Sequence, residues 1–415
     1  MSEKDKKNIP EVRFDGFDEE WEKKKLGDDA TLFAGGTPST TNPEYWNGDI
    51  NWLCSGAVQN NTISEDDVEQ KITEKGLQES SAKMIKPDSV LIAMTGATCG
   101  NVGYLPFETS GNQSIMAVEP NSDDAKFLYY NLLKNRESIL KHKAGGAQAG
   151  VNKSSCENIE IMNTSLEEQK KIAEFFKQLD KLIELNEKKV EKLEALKKAL
   201  LEKMFPVGGA TTPKIRFDGF SDEWGKKQLF EVAEFNPKST LPNIFEYVDL
   251  ESVVGTTMVS HRTEIKETAP SRAQRVALKG DVFYQTVRPY QKNNYLFDKD
   301  ETNYVFSTGY AQMRPKVDSL FLMTYIQNDY FVKTVLENCT GTSYPAINST
   351  DLSKISIHIP VSPQEQTLVG VVVTELDNLL VSLNNKIEKF KNLKISLLNK
   401  MIPHTHTHTN SSNKI

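Results

Sequence analysis

Pro10-Glu-Val-Arg-Phe-Asp-Gly-Phe17 returns as Pro213-Lys-Ile-Arg-Phe-Asp-Gly-Phe220, 203 residues further along the chain. The correspondence runs on through Trp21/Trp224, Lys23-Lys24/Lys226-Lys227 and Leu26/Leu229. A second repeated stretch follows at an offset of 197. There Ser165-Leu-Glu-Glu-Gln169 matches Ser362-Pro-Gln-Glu-Gln366, Asp180 matches Asp377, and Lys203-Met204-x-Pro206 matches Lys400-Met401-x-Pro403. Two matches at nearly equal offsets mark a duplicated module of about 200 residues. The two middles, 29–160 and 232–355, share little beyond Gly146-x5-Asn152 against Gly341-x6-Asn348. One scaffold repeated around divergent interiors reads as two different recognition surfaces.

The repeated C-terminal element reads as a helix. Ser165/Glu168 and Ser362/Glu365 have the S-x-x-E spacing of a capping box, and Pro363 suits a first helical position. Ile172, Leu179, Leu193 and Leu200 then recur at multiples of seven, with Phe175, Leu182 and Leu196 three residues later as partners. The second copy repeats the pattern with Val369, Leu376, Leu383, Phe390 and Leu397, partnered by Val372, Leu379 and Leu393. Thirty-nine residues of helix span about 58 Å, and a helix of this kind needs a packing partner. Asn186 falls at a seam position, where it sets register or faces solvent.

The middles read as mixed α/β. Ser89–Met94, Ser114–Val118, Gly280–Tyr284 and Lys354–Ile359 have strand character. Lys126–His142 and Leu320–Asn338 each read as one helix in corresponding places. The predicted boundaries are a first recognition domain at 1–164, a helix at 165–206, a second domain at 207–361, a helix at 362–403 and a disordered tail at 404–415. The fold class is α+β: two globular α/β domains and two long helices forming a coiled coil, in a pseudo-twofold tandem repeat.

The chain has 415 residues, of which 38% are hydrophobic and 26% charged, enough apolar content to build two or three cores. Apolar runs such as Val369–Val373 are too short to cross a bilayer. The charged start, Met1-Ser2-Glu3-Lys4, has no apolar stretch behind it, so the expected location is the cytoplasm. Cys54, Cys99, Cys156 and Cys339 lie far apart with no CxxC pair, which argues against structural zinc. The net charge of −7 excludes a simple basic-protein argument for nucleic acid. The acidic excess concentrates in 1–165, however, and DNA binding depends on local contacts.

Three motifs carry chemistry or its likeness. Asn42-Pro-Glu-Tyr45 resembles the N-P-P-Y motif of amino-methyltransferases, but Glu44 replaces the second proline, and a turn ahead of a strand is the better account. Gly96-x3-Gly100-x2-Gly103 lacks the spacing of a nucleotide loop and reads as a strand-turn-strand connection whose small residues let a backbone approach DNA. Arg288-Pro-Tyr-Gln-Lys-Asn-Asn294 combines Arg288, Tyr290, Gln291, Lys292 and Asn293. Arginine on guanine and asparagine or glutamine on adenine are the common major-groove contacts, although a solvated loop fits the same residues. The six histidines include no nucleophile–base arrangement with a third member.

Gly35-Gly-Thr-Pro-Ser39, Asn42-Pro-Glu-Tyr-Trp46-x-Gly48-Asp-Ile-x-Trp52 and Met94–Gly103 resemble the target-recognition domains of type I restriction–modification specificity subunits. The Glu-Gln helix starts and the duplicated layout are similar too, so the resemblance covers nearly the whole chain. Tyr284-Gln-Thr-Val-Arg-Pro-Tyr290 departs from the first copy's Thr95-Gly-Ala-Thr. The resemblance implies a non-catalytic subunit, one copy per complex, whose two domains each read half of a bipartite duplex target. It implies antiparallel helices that set the gap and dock two methyltransferase subunits, with endonuclease/translocase subunits joining. S-adenosylmethionine, ATP and magnesium then belong to those partners, and this chain carries no cofactor or metal. The DNA-contact candidates are Thr37, Ser39, Thr95, Thr98, Asn101, Gln148, Asn152, Lys153, Arg288, Tyr290, Gln291, Lys292, Asn293 and Tyr344. The interface candidates are Ile172, Phe175, Leu179, Leu182, Asn186 and Leu193 on one helix and Leu376, Leu383, Phe390 and Leu397 on the other. The competing readings are a self-sufficient DNA methyltransferase or nuclease, and a coiled-coil adaptor that never touches DNA.

Overall fold

Two long helices, Leu166–Lys203 and Pro363–Met401, form where the seven-residue spacing places them, 38 and 39 residues in length. A computed structural model of the chain describes residues 8–141, 150–341 and 343–405. The described chain divides into two compact units. The first runs to Leu185 and takes in the chain from Lys386 onward; the second spans Asn186–Asn385. Each unit therefore owns one globular domain, the first half of the helix that follows it, and the second half of the other helix. In the first unit Lys394 pairs with Asp180. In the second, Lys197 pairs with Asp377. The two ion pairs are counterparts at the repeat offset of 197. Leu200 and Leu201 share a core with Val369 and Val372, so the helix segments inside the second unit run antiparallel.

The packed face of each helix differs from the seven-residue reading by one position. Ile172 and Leu179 are buried as expected, but the residues that complete the stripe lie four positions on: Phe176, Ile183 and Val190. Phe175 and Leu182 are 37% and 46% exposed. Val373, Ile387 and Met401 are buried on the second helix, whereas Leu379 and Leu393 are exposed. Leu383 is buried, and Leu193, Leu376, Phe390, Leu397 and Asn186 are half-buried. Apolar side chains stand both three and four positions after each seam residue, so spacing alone leaves the phase open. Tertiary packing chooses it. Phe176 meets the ring of Tyr130, on the domain helix Ala125–Lys134, at 5.1 Å. By length and composition an 18-residue window of Pro363–Met401 is apolar enough to cross a membrane. Its Val369 and Val373 are instead buried in the second unit.

Each domain is closed at its neck by a two-stranded antiparallel ribbon. Glu22–Lys25 pairs with Glu160–Asn163 in the first unit, and Gly225–Gln228 with Ser356–Ile359 in the second. Beyond the ribbon, the first unit has a five-stranded sheet ordered Ala30–Ala34, Ile115–Pro120, Ser89–Ala93, Val102–Leu105, Asn61–Thr62. A four-stranded sheet accompanies it: Gln70–Ile72, Trp46–Leu53, Thr109–Gly111, Met84–Ile85. The second unit repeats the plan with two four-stranded sheets. One is ordered Ala233–Phe235, Tyr310–Pro315, Val282–Gln285, Tyr295–Leu296. The other is ordered Arg262–Ile265, Ile244–Val248, Tyr304–Ser307, Ala273–Val276.

Each helix foreseen in the middles is broken in two. Ala125–Lys134 is followed by Arg136–Lys141, and Ser319–Gln327 by Asp329–Glu337. Asn328 makes the second break, its side chain accepting from Phe331 N and so capping a new helix. Asn135 marks the first, its amide turned back onto Asn131.

The repeated motifs meet in space. Arg13 binds Glu168 through two bonds of 2.8 and 2.9 Å, and Arg216 binds Glu365 through two of 2.7 and 2.9 Å. Both glutamates are only 1% exposed. The capping-box expectation is corrected here. Ser165 Oγ does accept from Glu168 N, but the glutamate side chains are held by arginines about 150 residues away in sequence, and Glu168 also accepts from the Thr164 hydroxyl beside its helix start. The neighbouring glutamines reach sideways. Gln169 accepts from Asp124 N and Gln366 from Asp318 N, tying each long helix to the start of a domain helix.

Candidate nucleic-acid interface

In both units, loops gather at one end of the central sheet. In the first unit, Gly35 N donates to Ile115 O, Met94 N to Ser114 O, and Val151 N to Met94 O. These bonds bring residues 35–39, 94–100, 112–114 and 150–152 together. In the second, Thr286 N donates to Gly309 O, Ile347 N to Thr286 O, and Arg288 N to Pro345 O. Residues 286–294, 307–310 and 343–347 form the equivalent cluster. Asn152 and Asn348 stand at matching places, each capping a short helix by accepting from the backbone N–H three residues on.

Most of the candidate residues also bond within the loops, and several of these, Asn152, Lys153 and Gln291 among them, are exposed. Thr37 bonds Gln113, Ser39 bonds Thr41, and Thr95 bonds Ser114, forming a small polar surface. Thr98 and Asn101 also brace the loops: Thr98 donates to Ser55 O and Asn101 to Val58 O, while Asn60 donates to Asn101 Oδ1. Asn152 is exposed and caps a short helix through its side-chain oxygen, and Lys153 pairs with Glu157. Gln148 lies outside the described residues. In the second unit, Asn293 accepts from Gly255 N, Gln291 accepts from Gln285, and Lys292 pairs with Asp329. Tyr290 and Tyr344 are 51% and 65% exposed. The Arg288 guanidinium lies 4.7 Å from the centre of the Tyr344 ring.

Sequence reasoning passed over Gln113 and Ser114, whose signal was the polar Asn112-Gln-Ser stretch ahead of a strand. The turn reading of Asn42–Tyr45 matches the structure: Pro43–Tyr45 is a single helical turn capped by Asn42. The loop after Ser89–Ala93 is a strand-turn-strand connection, since that strand pairs antiparallel with Val102–Leu105. Burial raises the thiols of Cys54 and Cys339 and pushes Cys156 up to about 12, so all three stay protonated near neutral pH. Among the described residues no cluster of three His, Cys, Asp or Glu side chains is placed to hold a metal.

One α+β domain built twice, with a polar loop cluster at the same sheet end each time, defines the class: a duplicated α+β protein with one loop cluster in each unit. The family model described as the type I restriction modification DNA specificity domain matches the chain twice, over residues 18–195 and 221–391. The chain belongs to that family. It is 24% identical over 404 residues to the type I restriction enzyme MjaVIII specificity subunit of Methanocaldococcus jannaschii, covering 92% of each. The MjaIX specificity subunit of the same organism is 25% identical over 416 residues, covering 92% of this chain and 93% of its own. The fold is similar to that of the S subunit of a type I restriction-modification system from M. genitalium. That likeness has a TM-score of 0.64 at 17% identity and covers 96% of this chain and 100% of the other.

Proposed function

We propose that the chain is the DNA-reading subunit of a type I restriction–modification complex, each loop cluster reading one half of a bipartite duplex target. The observation that carries the reading is the family match occurring twice, with each copy presenting its own differently composed loops. The subunit is non-catalytic, holds no cofactor of its own and acts in the cytoplasm as one copy per complex. S-adenosylmethionine, ATP and magnesium are used by its methyltransferase and endonuclease/translocase partners. Leu182 and Leu379 are exposed counterparts on the two long helices, as are Leu196 and Leu393. Apolar side chains repeated on two equivalent faces suit docking of two copies of one partner, here the methyltransferase. Sequencing DNA methylation in a host expressing the complex tests the function, and a bipartite motif that disappears when this gene is deleted is the expected result. Labelled S-adenosylmethionine should not bind the isolated chain; tight binding would favour a self-sufficient methyltransferase.

The long helices, paired as a coiled coil, set the gap between half-sites. Four residues inserted between Lys188 and Lys189, together with four between Asn385 and Lys386, lengthen each helix by about 6 Å and rotate the downstream residues by about 40°. At about 3.4 Å per base pair, the gap in the methylated motif should grow by one or two base pairs with both half-sites unchanged. An unchanged gap with full activity removes the spacer role.

A further inference from the structure

One loop is built in both units with the same backbone and different side chains. It runs from Met94 to Gly100 in the first unit and from Thr286 to Lys292 in the second, and in each the first residue's carbonyl accepts from the incoming segment, Val151 N or Ile347 N. Two residues further on, the chain is left-handed in both copies: φ is +74° at Gly96 and +54° at Arg288. At the last residue it is left-handed again, +84° at Gly100 and +54° at Lys292. The first unit thus meets both positions with glycine, which the conformation favours. The second places long cationic side chains there.

Arginine at position 288 is doubly disfavoured. Its Cβ crowds the following carbonyl in the left-handed region, and Pro289 behind it restricts the residue further toward extended conformations. Non-glycine residues held in such backbone concentrate at functional sites. The two cations then diverge. Lys292 is satisfied within the fold by Asp329. Arg288 has no carboxylate partner among the described residues, whereas Arg13, Arg216, Arg262 and Arg314 each hold one. Its guanidinium carbon lies instead 4.7 Å from the centre of the exposed Tyr344 ring, a contact that uses none of its N–H donors.

We infer that Arg288, aimed by its left-handed backbone and braced by Tyr344, is the residue that fixes one guanine in the half-site of the second domain. The assignment rests on the DNA-reading function above. A guanidinium fork matches guanine O6 and N7 in the major groove, and the bare Gly96 at the same place in the first domain leaves that domain to read its half-site with other groups.

The test uses the complete complex and duplexes carrying the sequence it methylates, with Arg288→Gly, Arg288→Ala and Arg288→Lys. Each variant should lose roughly 10- to 100-fold in affinity for its own site and lose discrimination at a single base pair in one half-site, leaving the other half-site intact. Arg288→Gly should melt above Arg288→Ala, because glycine removes the backbone strain while both remove the guanidinium. That ordering, with both variants equally defective on DNA, separates a reading residue from a structural one. A loss that is uniform across all sequences, with a shallower salt dependence, overturns the assignment in favour of a phosphate contact. Unchanged discrimination in variants of a complex whose parent discriminates overturns this assignment alone. A parent complex that methylates no bipartite motif overturns the DNA-reading function and this assignment with it.

Discussion

Replacing residues 29–159 with the matching segment of a relative that recognises another sequence should change one half of the methylated motif completely and leave the other half as it was. The joints fall where the fold tolerates them. Residue 29 follows the turn at Leu26–Asp28, and Glu160 opens the strand that pairs with Glu22–Lys25. The ribbon, the Arg13–Glu168 pair and the long helix all stay with the host chain; the exchanged part carries the sheets, the loops and the short domain helices, and must keep the Asp124–Gln169 and Tyr130–Phe176 contacts to the host's long helix. On the proposed function the loops at the far end of the central sheet would carry specificity, and the bonds that assemble the second cluster join residues of the second unit to one another. Mapping methylated positions on genomic DNA gives the result directly. A shift in both halves of the motif would mean that the domains do not read independently.

Arg216→Ala should destabilise the second unit by about 3–5 kcal/mol, because removing one partner of a buried pair strands the other charge. Glu365 is 1% exposed and holds both oxygens against Arg216, with Trp224 Nε1 3.3 Å from one of them. Unfolding of the second unit in urea, followed by hydrogen exchange at backbone amides of Val282–Gln285, should show the loss while the first unit keeps its own midpoint. The double variant Arg216→Met/Glu365→Leu should recover most of it, since a well-packed apolar pair substitutes for a buried ion pair at little cost. A single variant that loses less than about 1 kcal/mol would show that solvent reaches this carboxylate freely.

That pair also explains why two separate motifs repeat together. The octapeptides at Pro10–Phe17 and Pro213–Phe220 supply the arginines, and the Glu-Gln helix starts supply their partners and the tie to Asp124 or Asp318. Each motif has a reason to persist only if the other does. The coincidence was visible in the sequence as two matched offsets, although nothing local said that the elements touch.

Local sequence was enough for the duplication, for the two long helices with their starts and ends, and for two strands in each middle, because periodicity, capping residues and prolines act over a few positions; strands such as Trp46–Leu53 and Ile244–Val248 were not foreseen. The loop residues were nameable from sequence, but not that Arg288 lies against Tyr344 or that Asn101, Asn152 and Asn293 each bond backbone groups of the loops. Those bonds depend on tertiary neighbours, since a side-chain amide satisfies a backbone group or a base equally well until its neighbours are known. The tertiary structure alone set the phase of the helix seam, choosing Phe176 over Phe175 because Tyr130 lies on that side. It alone set the glutamates of Ser165-x-x-Glu168 and Ser362-x-x-Glu365 against distant arginines through charge-assisted bonds stronger than a local cap, with Glu168 also holding the Thr164 hydroxyl. Packing partners far apart in sequence settle these choices, and no short-range pattern encodes them.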